Sequence, residues 1–145
     1  MTYQHTQTGR LMIFILFGFI LYFCFLSTKV DSDSIFFITM FFILFVLSSF
    51  ISLQVIIDEN HVKIKFGYGI FRKRFALKEI ISAEAVKNHW YYGWGIRRRL
   101  IPPMWIYNVS GFDAVEIKMR NGKTYRIGTD EPQKLEQAIK QEIKK

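Results

Sequence analysis

The chain has 145 residues, half of them apolar and 17% aromatic, with 20 Lys/Arg against 12 Asp/Glu for a net charge of +8. Its single cysteine, Cys24, excludes a disulfide framework or a thiolate metal site. Three scattered histidines, with no partner at ligand spacing, point to no zinc centre.

Residues 1–10 read as a short polar N-terminus. Two uncharged runs follow, at 11–27 ("LMIFILFGFILYFCFLS") and at 35–57 ("IFFITMFFILFVLSSFISLQVII"). A helix needs about 20 apolar residues to cross roughly 30 Å of hydrocarbon, so the second run suffices and the first is at the short limit. Neither carries the polar stripe of a soluble core helix. The flanks of the first lack the small-x-small cleavage pattern of a signal peptide. The expectation is a transmembrane hairpin with spans 11–27 and 35–57, its short connection returning the chain to the side it left. That connection holds one Lys and two Asp, whereas apart from Arg10 and Lys29 every basic residue lies beyond 57. The positive-inside rule then predicts a multi-pass inner-membrane protein with both termini in the cytoplasm. Asn108-Val109-Ser110 fits an N-glycosylation acceptor, but a cytoplasmic acceptor is not modified.

From residue 58 the hydrophobic period changes. "HVKIKFG" alternates Val62, Ile64 and Phe66 with Lys63 and Lys65, a half-buried strand. "GYG" at 67–69 supplies a turn, and "IFRKRFAL" returns with Phe71, Phe75 and Leu77 on one face. Further strands are expected at 79–86, 105–109 and 114–120, with a long aromatic loop before the second of these. After 120 a two-residue Asn-Gly turn would mix charged and apolar residues on each face. A three-residue loop with Gly122 left-handed pairs Val115 with Ile127 and Ile117 with Tyr125, so it is preferred. The C-terminal segment reads as a helix with Asp130 or Thr129 as cap, Pro132 in the first turn, and Leu135, Ala138, Ile139 and Ile143 as an apolar stripe. The sum beyond the apolar runs is an α+β domain with six or seven short antiparallel strands and one C-terminal α-helix.

Leu77 and Ile80, the stretch Gly93-Trp94-Gly95-Ile96-Arg97, the stretch Tyr107-Asn108-Val109-Ser110-Gly111, and Ile127-Gly128-Thr129-Asp130-Glu131-Pro132 together resemble the bacterial pleckstrin-homology-like (PH-like) domain of small membrane proteins. The resemblance covers roughly 55–142. It implies a PH-like antiparallel β-barrel or sandwich over 58–145, partly open and plugged at one end by the C-terminal helix, behind a two-helix membrane anchor. It implies no activity, because a fold does not fix a function.

Enzyme motifs are missing. No Walker loop, dinucleotide fingerprint, H-E-x-x-H or G-x-S-x-G occurs, no cofactor motif is legible, and each carboxylate has an ordinary place on a strand exterior, turn or helix cap. A lipid-modifying enzyme would need an acid/base pair in a pocket. The reading is a non-enzymatic interaction or scaffold module, with other membrane proteins or further copies of itself as partners. The alternative is recognition of an anionic phospholipid or small anionic ligand. Lys65, Arg72 and Arg74 match the loose basic pattern of lipid-binding pleckstrin-homology domains, and Arg97, Arg98 and Arg99 add a second cluster in the aromatic loop. Cations near a negatively charged leaflet contribute about 1 kcal/mol each. Nucleic acid is an improbable partner for a tethered domain with no recognition motif. Trp90, Trp94, Trp105 and Tyr107 could fill the barrel, or Trp90, Tyr91, Tyr92 and Trp94 could sit at headgroup level; the preferred reading packs Trp94 and Trp105 and leaves Tyr91 and Tyr92 at the interface.

Overall fold

A computed structural model describes residues 3–145. The first sheet is a meander of β1 (Tyr3–Thr8), β2 (Ser52–Ile57), β3 (His61–Phe66) and β4 (Arg72–Ala76). The second contains β5 (Ile80–Lys87), β6 (Gly95–Leu100), β7 (Pro103–Asn108), β8 (Asp113–Met119) and β9 (Thr124–Gly128), in the spatial order β5-β8-β9-β7-β6. Three helices complete the chain: α1 (Arg10–Ser27), α2 (Ser34–Ser48) and α3 (Pro132–Ile143). The class is α+β.

The core lies between the sheets and follows from period-two patterning. Leu53 faces Phe66, Val55 faces Ile64 and Ile57 faces Val62, all at most 2% exposed. On the second sheet Val115 pairs with Ile127 and Ile117 with Tyr125, with Gly122 at φ +83°, as the three-residue loop requires. Helix α3 turns Leu135, Ala138 and Ile139 onto β5 and β8. Its Glu136 carboxylate accepts a hydrogen bond from Ala85 N at 3.0 Å, which ties the helix to β5.

Several expectations need correction. Residues 3–8 are a strand paired antiparallel with β2, Thr8 opposite Ser52, so the N-terminus is part of the first sheet. The expected second span ends early: α2 stops at Ser48, and residues 52–57 are β2. At 1.5 Å per residue, its 15 residues reach only about 22 Å. Among the described residues only α1 is long and apolar enough to cross a membrane. The domain boundary placed before residue 58 would cut between two paired strands. Beyond residue 57 the described residues hold seven strands, β3 to β9, within the expected six or seven, but β7 runs parallel to β9. The helix cap is Glu131, without a side-chain cap bond; Thr129 Oγ1 instead accepts from Glu131 N at 3.1 Å.

Both apolar helices rise from one end of the first sheet. Gly9 alone joins β1 to α1, and its N–H donates to Ile51 O at 2.5 Å. The β3–β4 turn packs on the foot of α2: Tyr68 stacks on Phe45 at 5.7 Å, and its hydroxyl lies 3.0 Å from Ser48 Oγ. Phe50 bridges from there to Phe66 and Phe71, at 5.3 and 5.0 Å between ring centroids. Gly67 has φ +45°, and a Cβ there would overlap the Ser49 carbonyl, so only glycine fits this turn.

Candidate interaction surface

The ladder between β3 and β4 sets Lys63 opposite Arg74 and Lys65 opposite Arg72, all on the outer face of the first sheet. Like charges directly opposite one another destabilise a sheet. Lys63 is relieved by Asp58 at 2.5 Å, and hydrogen bonds from Lys63 and from the Asn60 and His61 amides hold the Asp58 carboxyl well below the usual range. Lys65, Arg72 and Arg74 have no ion pair among the described residues. Lys65 and Arg72 flank the β3–β4 turn, so they lie at the end of the sheet that carries the helices.

The second cluster is not a loop patch. Arg97, Arg98 and Arg99 lie on β6, where alternation sends them to opposite faces. Arg98 is opposite Trp105 and holds its guanidinium 5.7 Å from that ring, on the side facing the first sheet. Arg97 and Arg99 take the other face, opposite Ile106 and Met104. Arg97 Nε donates to Trp94 O at 3.2 Å. Arg99 lies 4.3 Å from the Tyr92 ring and 5.6 Å from Tyr91. Tyr92 therefore seats a cation, and Arg126 approaches the same ring at 5.5 Å. Arg126 is paired with Glu116 at 2.8 Å and donates to Asn88 Oδ1 at 3.1 Å, a largely buried polar cluster beneath the 88–92 segment. Tyr91 is 56% exposed and stacked on His89.

The aromatic residues divide as well. Tyr107 is core, Trp94 and Trp105 are half-buried against it, and Trp90 is 75% exposed rather than filling the barrel. Trp94 Nε1 donates to Gly111 O at 3.1 Å, and its ring lies 6.1 Å from Phe112. Val109, two residues before Gly111, stands close beside Gly9 at the root of α1.

Sequence reasoning passed over Lys73. It shares the inward face of β4 with Phe71 and Phe75, and its ammonium lies 5.9 Å from the Tyr125 ring. Counting by twos from Phe75 was the signal that could have found it. A cleft of about 210 Å³ opens beside it, lined by Phe66, Ile70, Phe71, Arg72, Lys73, Ile96 and Tyr107. Burial, and then the neighbouring Tyr125, push the Tyr107 hydroxyl up to about 12.

A larger hollow of about 680 Å³ lies at the opposite end of the first sheet, between the β2–β3 turn and the end of α3. Among the described residues no Ser, Thr or Cys lines it. Among the described residues no three His, Cys, Asp or Glu side chains come together as a metal site. No protein-family model and no curated protein matches the chain.

Proposed function

We propose that the chain is a membrane-anchored, non-enzymatic interaction module, a PH-like domain held at the cytoplasmic surface of an inner membrane by the α1–α2 hairpin. The observation that carries this reading is the bare surface of the two helices. Of α1 only Met12 is buried, and of α2 nothing is, although both are almost wholly apolar. Water does not tolerate such a surface and hydrocarbon does. Because α1 leaves β1 and α2 re-enters the adjacent β2, the chain must return to the side it started from. The helices therefore enter the bilayer as a pair, with residues 28–33 at the tip, and the shorter α2 is accommodated by local thinning of the membrane.

The same placement supports contact with anionic lipid by the outer face of the first sheet. Lys65 and Arg72 flank the turn at the helix end of the sheet, and a charged leaflet is felt over roughly 8 Å at physiological salt. Tyr68 and Ile70, both exposed, occupy the same end, where amphipathic and apolar side chains meet headgroups.

The test is alkaline carbonate extraction of membranes from cells making the full chain, combined with reporters fused after Lys145 and within residues 28–33. Resistance to extraction, with the C-terminal reporter cytoplasmic and the tip reporter not, is expected. A chain released by carbonate sinks the anchor. For the lipid contact, the full chain reconstituted in nanodiscs should lose protease protection of the β3–β4 turn when Lys65 and Arg72 become Gln, in anionic but not in neutral lipid.

A further inference from the structure

Of the four sheet edges, two are engaged. Strand β5 is tied to α3 through Glu136. Strand β1 is held by Tyr3 to Glu131, by His5 to Asp130 and by Gln7 to the Ser110 carbonyl. The other two, β4 and β6, have no ladder partner on their outer sides among the described residues. These are the strands that carry Arg72-Lys73-Arg74 and Arg97-Arg98-Arg99, and the cleft described above opens between them. Arg72 and Lys73 line this cleft on the β4 side, and Ile96, beside the second basic run, lines it on the β6 side. Its floor is apolar, from Phe66, Phe71, Ile96 and Tyr107.

Each strand turns one exposed cation toward the opposite sheet, Lys73 at the cleft and Arg98 two residues along β6 from Ile96. Lys73 rests on Tyr125 and Arg98 on Trp105, and these two rings are partners in the parallel β7–β9 ladder. Neither cation has a carboxylate partner among the described residues. A cleft this small is below the range that encloses a whole small-molecule ligand, but an unpaired strand edge accepts another strand by main-chain hydrogen bonding. Cations on an edge repel neutral and basic strands. They admit an acidic one, so the same residues select the partner as well as bind it. Since β6 presents arginine on both faces, the incoming strand needs acidic side chains on both of its faces.

We propose that the cleft between β4 and β6 receives an extended, acidic segment of a partner protein, which adds to the β6 edge and sets its inward carboxylates against Lys73 and Arg98. The exposed Leu100 and Ile101, at the end of β6, give that segment an apolar contact. A bilayer is the less suitable occupant. The Ile96 end of β6 adjoins Ile70 and Phe71 near the helix root, and the strand leads from there toward Leu100, about 13 Å further at about 3.3 Å per residue. The inference rests on the domain being an interaction module; it does not depend on the lipid contact.

The experiment uses the full chain in phosphatidylcholine nanodiscs. The probe is a fluorescein-labelled peptide of glutamates interrupted by isoleucine, about eight residues long, enough to cover β6. Anisotropy should report saturable binding. The same peptide N-methylated at every amide keeps its charge but has no N–H on either edge to pair as a strand, and should not bind. Lys73→Glu with Arg98→Glu should weaken binding about tenfold or more, and Lys73→Gln with Arg98→Gln gives the same direction should the reversal unfold the domain. Lys118→Glu with Lys123→Glu makes the same change in net charge elsewhere and should leave binding unchanged. Failure of the peptide to bind, equal binding of the N-methylated peptide, or equal loss in the Lys118/Lys123 control overturns the proposal. So does a chain that ignores the peptide and uses Lys73 and Arg98 to bind phosphatidylglycerol vesicles instead. Incorporation into the nanodisc reports on the anchor separately.

Discussion

Helix α3 turns Leu135, Ala138 and Ile139 inward and leaves Lys134, Gln137 and Lys140 in water, whereas α1 presents Phe14, Phe17, Leu21 and Phe25 to the outside. Both are regular helices, and neither owes its place to propensity alone. One contributes a stripe to a protein core, and its stability comes from that stripe. The other contributes a whole apolar circumference, for which the described residues supply almost no cover. The difference teaches that the medium around a helix is legible from how its apolar residues are distributed, more than from how many there are.

Mutations can break this contrast. Leu135→Ala or Ile139→Ala should lower the stability of the sheet domain by about 2–5 kcal/mol in denaturant titrations of the detergent-solubilised chain. Phe14→Ala should not move the midpoint, and a drop comparable to that of Leu135→Ala would make α1 a core helix after all. Leu21→Arg, near the middle of α1, should cost about 3 kcal/mol of insertion. It is read as a fall in the carbonate-resistant fraction with the domain's own unfolding unchanged. Glu116→Gln should cost roughly 1.5–3 kcal/mol, because it strips a charged acceptor from the largely buried Arg126. The smallest effect is one of pH. Tyr107, raised from 10.0 to about 12, contributes stability that is complete below pH 10 and is lost as pH rises toward 12. Tyr107→Phe should flatten that alkaline limb, and spectrophotometric titration should count one fewer late-ionising tyrosine.

Where one face of a strand is buried, the sequence was readable. The alternation of Val62, Ile64 and Phe66 and the pairing of Ile117 with Tyr125 follow from a rule with one solution. Strand β1 was not readable, because "YQHTQT" has no apolar alternation and is a strand only because β2 lies beside it. Its partner was hidden for the opposite reason: "SLQVII" continues the apolar run of α2 without a break in composition. The basic residues were visible as types but not as a surface. Calling Arg97, Arg98 and Arg99 one cluster assumed a loop; on a strand, consecutive residues cannot share a face. Lys73 was hidden between two arginines that point the other way.

The insertion of α1 and α2 between two neighbouring strands has a consequence for how the chain is made. Strand β1 is synthesised before both helices, and its ladder partner β2 only after them. Under the proposed anchoring, β1 and β2 meet only when the helices have gone in as a pair. Were one to cross without the other, the strands would lie on opposite sides of the bilayer and the first sheet would lack its edge. Under that anchoring, closure of β1 on β2 depends on both helices reaching the same side. A chain with only one helix inserted would keep the pairing of β2 with β3 and leave the other edge of β2, from Ser52 to Ile57, without its partner.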